Sequence, residues 1–258
     1  MSSQPIESGL TRLAVLDIGT NSIRLVVAEV QNDGTYRVLD EEREMVRLGR
    51  GFAESGRLGE EPMEQALETI GKMKAIVGGF EVDDMRVVAT SAVREAMNGR
   101  AFCREVRRRH GIQVEVISSE EEARLAFASV TRHFDLDGRP TAVVDIGGGS
   151  VEVVLAAGTA VEEVYWLPLG AVRVTEQYCK SDPLRPKHWK RLRRAIDGTI
   201  EERIGKPRFT AQMMIGSGGT FTTLGEMIQS ERECRPGNVQ GYQIAHYEIV
   251  RLLDRLLE

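Results

Sequence analysis

Two fifteen-residue stretches of this chain, AVLDIGTNSIRLVVA (14–28) and AVVDIGGGSVEVVLA (142–156), align without a gap and are identical at eight positions. The matches include Asp-Ile-Gly and the serine three residues further on, a combination that chance does not readily reproduce. Each copy reads as apolar strand, tight turn, apolar strand, with the aspartate at the end of the first strand. Two unrelated hairpins of similar composition are the bland alternative. The stronger reading is a duplicated domain, each half opening with the same hairpin, which commits the chain to two similar lobes. At 258 residues there is room for two ordinary domains. The turn DLDGRP (135–140) is the expected boundary, giving domains over 1–134 and 135–258.

The remainder alternates strand and helix. TYRVLDEEREMVRL and MRVVAT read as strands, and EPMEQALETIGKMKAIV has helical apolar spacing with Pro62 near its start. REAMNGRAFCREVRRRH reads as a helix broken near Gly99, and IQVEVIS as a strand feeding the helix SEEEARLAFASVTRHF. In the second half TAVEEVYWLPLG continues the sheet and RPKHWKRLRRAIDGTIEERI is a long helix. AQMMIGSGGTFTTLGEMI runs from strand through a Gly-rich turn into helix. This order predicts α/β domains with sheets flanked by helices.

Composition narrows the partners. With 41% hydrophobic and 28% charged residues the chain is an ordinary globular one. A net charge of −5 provides no global basic field for nucleic acid, so an anionic ligand must be held by local geometry. Cys103, Cys179 and Cys234 have neither metal-ligand spacing nor the pattern of a disulfide framework, which fits a reducing cytoplasm. MSSQPIESGL lacks the basic start and apolar run of a signal peptide, and no apolar stretch approaches the ~20 residues that span a bilayer. A cytoplasmic protein without a membrane partner is expected.

Three glycine-bearing turns carry the chemistry: DIGTNS (17–22), DIGGGS (145–150) and GSGGT (216–220). Successive bare N–H groups form concavities for phosphate oxygens, and a turn that opens a helix adds the helix dipole. A single such turn is most simply a sharp bend; three, two of them a repeat, are harder to dismiss. None fits G-x-x-x-x-G-K-[ST] or G-x-G-x-x-G, so neither a P-loop nor a dinucleotide fingerprint is indicated. Asp17 and Asp145 end equivalent strands, where a carboxylate beside a phosphate cradle suits Mg²⁺, or another divalent cation, with some of its waters retained. Strand alternation puts Glu152 on the face of Ser150, its alternative being a solvent-facing residue of a half-buried strand.

LAVLDIGTNSIRLVVAEV, VVDIGGGSVEVVLA and MMIGSGGTFTTLGE, with VVATSAVREAMN, VEVISSEEEARLAF and LPLGAVRVTE, resemble the exopolyphosphatase and guanosine pentaphosphate phosphohydrolase (Ppx/GppA) family from about Leu13 to Gly241. The resemblance implies the actin-like ATPase fold, two ribonuclease-H-like domains of mixed sheets and helices facing each other across a cleft. It implies Glu122 as catalytic base, Arg94 as a phosphate-binding arginine, and phosphate contacts at Asn21, Ser22, Gly147, Gly148, Ser150 and Gly218. Asp145 and Glu152 match the acidic pair near the metal. Glu122 has a local alternative, since Ser119 and Glu122 form the S-x-x-E of a capping box. Two departures stand out: Val151 replaces the threonine of G-G-G-S-T-E, and Gln240 stands where the family carries histidine. The family's R-A-D-x-I-x-x-G segment is also missing, which predicts a second domain incomplete at its C-terminus.

The implied reaction is Mg²⁺-dependent release of terminal phosphate from inorganic polyphosphate. Its alternatives are hydrolysis of guanosine pentaphosphate to the tetraphosphate, a kinase on the same fold, and a non-catalytic phosphate-binding module. A polyanion needs a track, and RPKHWKRLRR (185–194) offers Lys187, Lys190, Arg191 and Arg194 on one helix; a solvated helix face is the plain alternative. The resemblance further implies a homodimer.

Overall fold

The structure, a computed structural model, describes residues 10–232 and 237–258. Cys234, and all of the leading stretch scanned for a signal peptide except Leu10, lie outside the described residues. The chain divides into two compact units, Met1–Ile117 and Ser118–Glu258.

The first unit runs β1 (Leu10–Ile18), β2 (Ile23–Gln31), β3 (Tyr36–Glu44), α1 (Phe52–Ser55), α2 (Glu60–Val77), β4 (Asp84–Ala89), α3 (Ser91–Glu95), α4 (Gly99–His110) and β5 (Glu115–Val116). Among the described residues its five strands lie in the order β3-β2-β1-β4-β5, with β1 antiparallel to β2 and parallel to β4. Alternation buries Ala14, Leu16 and Ile18 of β1 and Ile23, Leu25 and Val27 of β2 on the core side. Helix α2 covers that side through Ala66, Leu67, Ile70, Met73 and Val77, the i, i+3, i+4 spacing of an amphipathic helix. Phe102 and Val106 of α4 complete the same core.

The second unit runs α5 (Ser119–His133), β6 (Pro140–Ile146), β7 (Val151–Ala157), β8 (Ala160–Leu167), α6 (Ala171–Tyr178), α7 (Pro186–Arg203), β9 (Met213–Ser217), α8 (Gly218–Arg232) and α9 (His246–Leu257). Among the described residues its sheet has four strands in the order β8-β7-β6-β9. Helix α5 accounts for the division falling at Ile117/Ser118 rather than at the expected 134/135. Its Ala123, Phe127 and Val130 pack with Val143, Val154 and Ala156 of the second sheet, so it belongs to the second unit's core.

The duplication inferred from the repeat is present in the register. β1 pairs β2 with Asp17 opposite Arg24 and Ile18 opposite Ile23; β6 pairs β7 with Asp145 opposite Glu152 and Ile146 opposite Val151. Both turns close alike, with Gly19 N–H donating to Ser22 O at 3.1 Å and Gly147 N–H to Ser150 O at 3.0 Å. In each unit a third strand adds antiparallel on one side of the hairpin and a parallel strand on the other. Among the described residues no helix is long and apolar enough to cross a membrane.

Candidate active site

The second unit gathers polar groups in one row across its sheet. Ser217 of β9 lies opposite Asp145 of β6, Asp145 opposite Glu152 of β7, and Glu152 opposite Trp166 of β8. Directly opposed residues share a face, so these four side chains leave the sheet on the same side. Glu152 is 2% exposed, which rules out the solvent-facing alternative. Ser217 Oγ donates to Asp145 Oδ2 at 3.3 Å. Burial pushes the Asp145 carboxyl up from the ordinary aspartate value, and the Ser217 hydrogen bond pulls it part of the way back.

The glycine turns frame this row. Gly147, Gly148 and Ser150 follow directly from Asp145 and lead into Glu152, and Ser150 is buried. Gly218 opens α8 with φ +86°, a backbone conformation that favours glycine, and a Cβ there would overlap Asp145 Oδ1. Glycine is therefore required at 218 to let the chain close over the carboxylate. The expected Gly-rich loop between strand and helix is compressed to nothing, because β9 ends at Ser217 and α8 begins at Gly218.

Glu122 belongs to the same unit. The cap of α5 is Ser118, not Ser119: Ser118 Oγ accepts from Glu121 N–H at 3.1 Å. Glu121 thus holds the third helical position, and the capping-box alternative for Glu122 is corrected, leaving its half-buried side chain out of that motif. The C-terminal end of α5, Thr131–Phe134, shares a cavity of about 670 Å³ with Gly138 and Ala157–Thr159, at the start of β6 and the end of β7. Fifteen helical residues span about 22 Å. Seven strand residues span about 23 Å, a similar length. The first turn of α5, with Glu122, consequently lies at the far end of the helix from that cavity. The cavity itself is remote from the acidic pair.

In the first unit the equivalent turn holds Asn21 and Ser22, both half-buried. Asn21 O accepts Arg47 N–H at 2.8 Å, and Ser22 Oγ accepts Arg43 Nε–H at 3.3 Å. Asp17 is exposed at the end of β1. Arg94 sits in α3, directly after β4 and beside the end of β1, where Thr90 N–H donates to Ile18 O. Its Nη1 donates to Ile117 O at 3.0 Å. Among the described residues no group of three or more His, Cys, Asp or Glu is gathered as a metal cluster, so the acidic focus is the pair Asp145 and Glu152. Lys187, Lys190, Arg191 and Arg194 are all exposed on α7, opposite the side that carries Trp189, Leu192 and Ile196.

The sequence profile of the Ppx/GppA phosphatase family matches residues 26–258. The chain belongs to that family. Exopolyphosphatase 2 of Mycobacterium tuberculosis is 31% identical over 257 residues, an alignment covering 96% of this chain and 80% of the relative. The crystal structure of an exopolyphosphatase from Cytophaga hutchinsonii superposes with a TM-score of 0.87 at 28% identity, covering 96% of this chain and 80% of that one. The Ppx/GppA member from Aquifex aeolicus gives 0.74 at 32% identity, over 95% and 78%. The two mixed sheets flanked by helices are thus those of a Ppx/GppA phosphatase.

Of the two departures from the family motif, Val151 lies opposite Ile146 at the start of β7, and strand alternation turns it from the face of Glu152. Three residues at the site had no role in the sequence reading. Gly170 lies against the loop, where a Cβ would overlap the backbone of Gly148 and Gly149. Arg173 Nε donates to Gly149 O at 2.7 Å. Trp166 completes the polar row, with its indole N–H buried and, among the described residues, lacking an acceptor. One signal was available: Gly49 in the first unit similarly lies against Thr20 of the equivalent turn, so Leu48-Gly49 and Leu169-Gly170 extend the repeat past the third strand of each half.

Proposed function

We propose that this Ppx/GppA phosphatase is an exopolyphosphatase, releasing the terminal phosphate of inorganic polyphosphate by water. The observation that carries this reading is the buried Asp145–Glu152 pair flanked by Gly147, Gly148, Ser150 and Gly218. The naming of its relatives as exopolyphosphatases points the same way.

Two carboxylates on one buried face repel when both ionise, and a divalent cation relieves both that repulsion and their desolvation. Asp145 and Glu152 fit Mg²⁺ by donor type, with Ser217 placed to orient Asp145. When bound, the ion neutralises charge on the phosphate oxygens. Glu122 orients the attacking water and accepts its proton as the water oxygen bonds to the terminal phosphorus and the bridging P–O bond breaks. Backbone N–H groups of the glycine turn hold the equatorial oxygens. From the first unit, Asn21, Ser22 and Arg94 are assigned further phosphate contacts on their resemblance to the family, and Asp17 a supporting role toward the metal. Arginine suits its part because its forked donors match phosphate and it keeps its charge.

The test is phosphate release from long-chain polyphosphate and from guanosine pentaphosphate, each with Mg²⁺ and with chelator. Mg²⁺-dependent release from polyphosphate at the higher kcat/KM is expected. Preference for guanosine pentaphosphate would reassign the substrate, and release unaffected by chelation would remove the metal from the account.

A further inference from the structure

A run of three glycines is the segment of backbone best able to flip its peptides, so a loop that must present its N–H groups in one direction needs something to hold it. The peptides from Gly147 to Ser150 are trans, which sends each carbonyl and the following N–H to opposite sides. Three successive carbonyls are held. Gly147 O accepts Ala171 N–H at 2.9 Å; Gly148 O accepts Val172 N–H at 2.9 Å and Arg173 N–H at 3.1 Å; Gly149 O accepts Arg173 Nε–H at 2.7 Å. The first turn of α6 and the arginine it carries thus grip one side of the loop. The N–H groups of Gly148, Gly149 and Ser150 are directed to the other side, and among the described residues none of the three has an acceptor. Gly149 and Ser150 are buried, and buried N–H donors are almost always satisfied.

We propose that Arg173 is a positioning residue of the phosphate site. It locks the Gly149–Ser150 peptide, while α6 locks the two before it, so that three N–H donors converge on one phosphate group. This rests on the phosphate-binding reading above. A guanidinium suits the task because its Nε–H is fixed in the plane of the fork, whereas a lysine ammonium holds a carbonyl without fixed direction. Gly170 supports the same device, since any side chain there would push the loop off the helix.

The measurement is amide-resolved NMR of the full chain titrated with tripolyphosphate, for wild type, Arg173→Met and Arg173→Lys. In wild type the amides of Gly148, Gly149 and Ser150 move on binding. Arg173→Met loses the Ser150 response and weakens binding by about tenfold or more, as expected for loss of a charge-assisted hydrogen bond, while the unliganded β7 amides keep their positions. Arg173→Lys falls between the two. Wild-type affinity in Arg173→Met, or full recovery in Arg173→Lys, overturns the positioning role while leaving phosphate binding intact, since full recovery means that charge alone suffices. Silence of the three wild-type amides overturns the phosphate reading and this proposal together. Should Arg173→Met not fold, Gly170→Ala reads the same loop: it must weaken tripolyphosphate binding by a similar factor, and unchanged affinity contradicts the proposal.

Discussion

Asp145 is held by opposing demands. Burial raises its pKa above the ordinary aspartate value of 3.8, so in the absence of a cation the ionised form costs more in the folded state than in the unfolded chain. A carboxyl whose folded pKa is raised lends stability that is full below the unfolded pKa and is lost as pH climbs through the folded value. Replacing Asp145 by Asn, which retains an acceptor for Ser217, removes that loss. Thermal melts of the metal-free protein should therefore show Asp145→Asn more stable than wild type at pH 7, with the advantage gone below about pH 4. Added Mg²⁺ should raise the melting temperature of wild type and leave Asp145→Asn unmoved. Equal melting curves at both pH values would mean that the carboxylate is not strained by its burial. Asp145 and its glycines could be picked out of the sequence because repetition and local composition both mark them. Gly170 was marked only by the short Leu-Gly extension of the repeat, and Trp166 and Arg173 not at all, because their relation to the loop depends on strand register and on the helix that follows β8.

At the level of elements, hydrophobic period and turn chemistry located every described strand and the helices α2 to α5, α7 and α8, while α1, α6 and α9 went unread, and the hairpin repeat carried the topology with it. Ends were harder to read. Ser118 and Ser119 are chemically equal as caps, and the choice falls on Ser118 because its backbone remains extended, at φ −72° and ψ 159°, while Ser119 is already helical. The domain boundary moved for a similar reason: α5 follows the first unit in sequence but buries its apolar stripe against the second sheet. On α7 the basic residues 187, 190, 191 and 194 fall at i, i+3, i+4 and i+7, one exposed stripe, and among the described residues none of the four forms an ion pair. Charge unused in the fold is available to a polyanion. Replacing all four by glutamine should raise KM for long polyphosphate several-fold, by roughly the loss of one or two phosphate contacts, and leave tripolyphosphate nearly unchanged. Equal effects on both substrates would return the stripe to a merely solvated face.

For the molecule as a whole, the two units share a plan but not a core. The first packs Leu16, Ile18, Ile23, Leu25, Ile70, Phe102 and their neighbours into an extensive apolar cluster, whereas the second relies on a smaller set centred on Phe127, Val143 and Val154. Less buried apolar area means less to offset chain entropy, so the second unit should be the weaker. Both tryptophans, Trp166 and Trp189, belong to it. In a urea titration tryptophan fluorescence should therefore change before far-ultraviolet circular dichroism is complete; coincident midpoints would show one cooperative transition. That weaker unit carries Glu122, Asp145 and Glu152, in keeping with sites being drawn from the less stable parts of folds. The central claim is that these acids act on a phosphate chain, with Glu122 taking the proton from water. Its most direct test is phosphate release from polyphosphate by Glu122→Gln beside equilibrium binding of the same chain. The account predicts release lowered by about 10²- to 10⁴-fold with affinity kept within about twofold; release at the wild-type rate would contradict it.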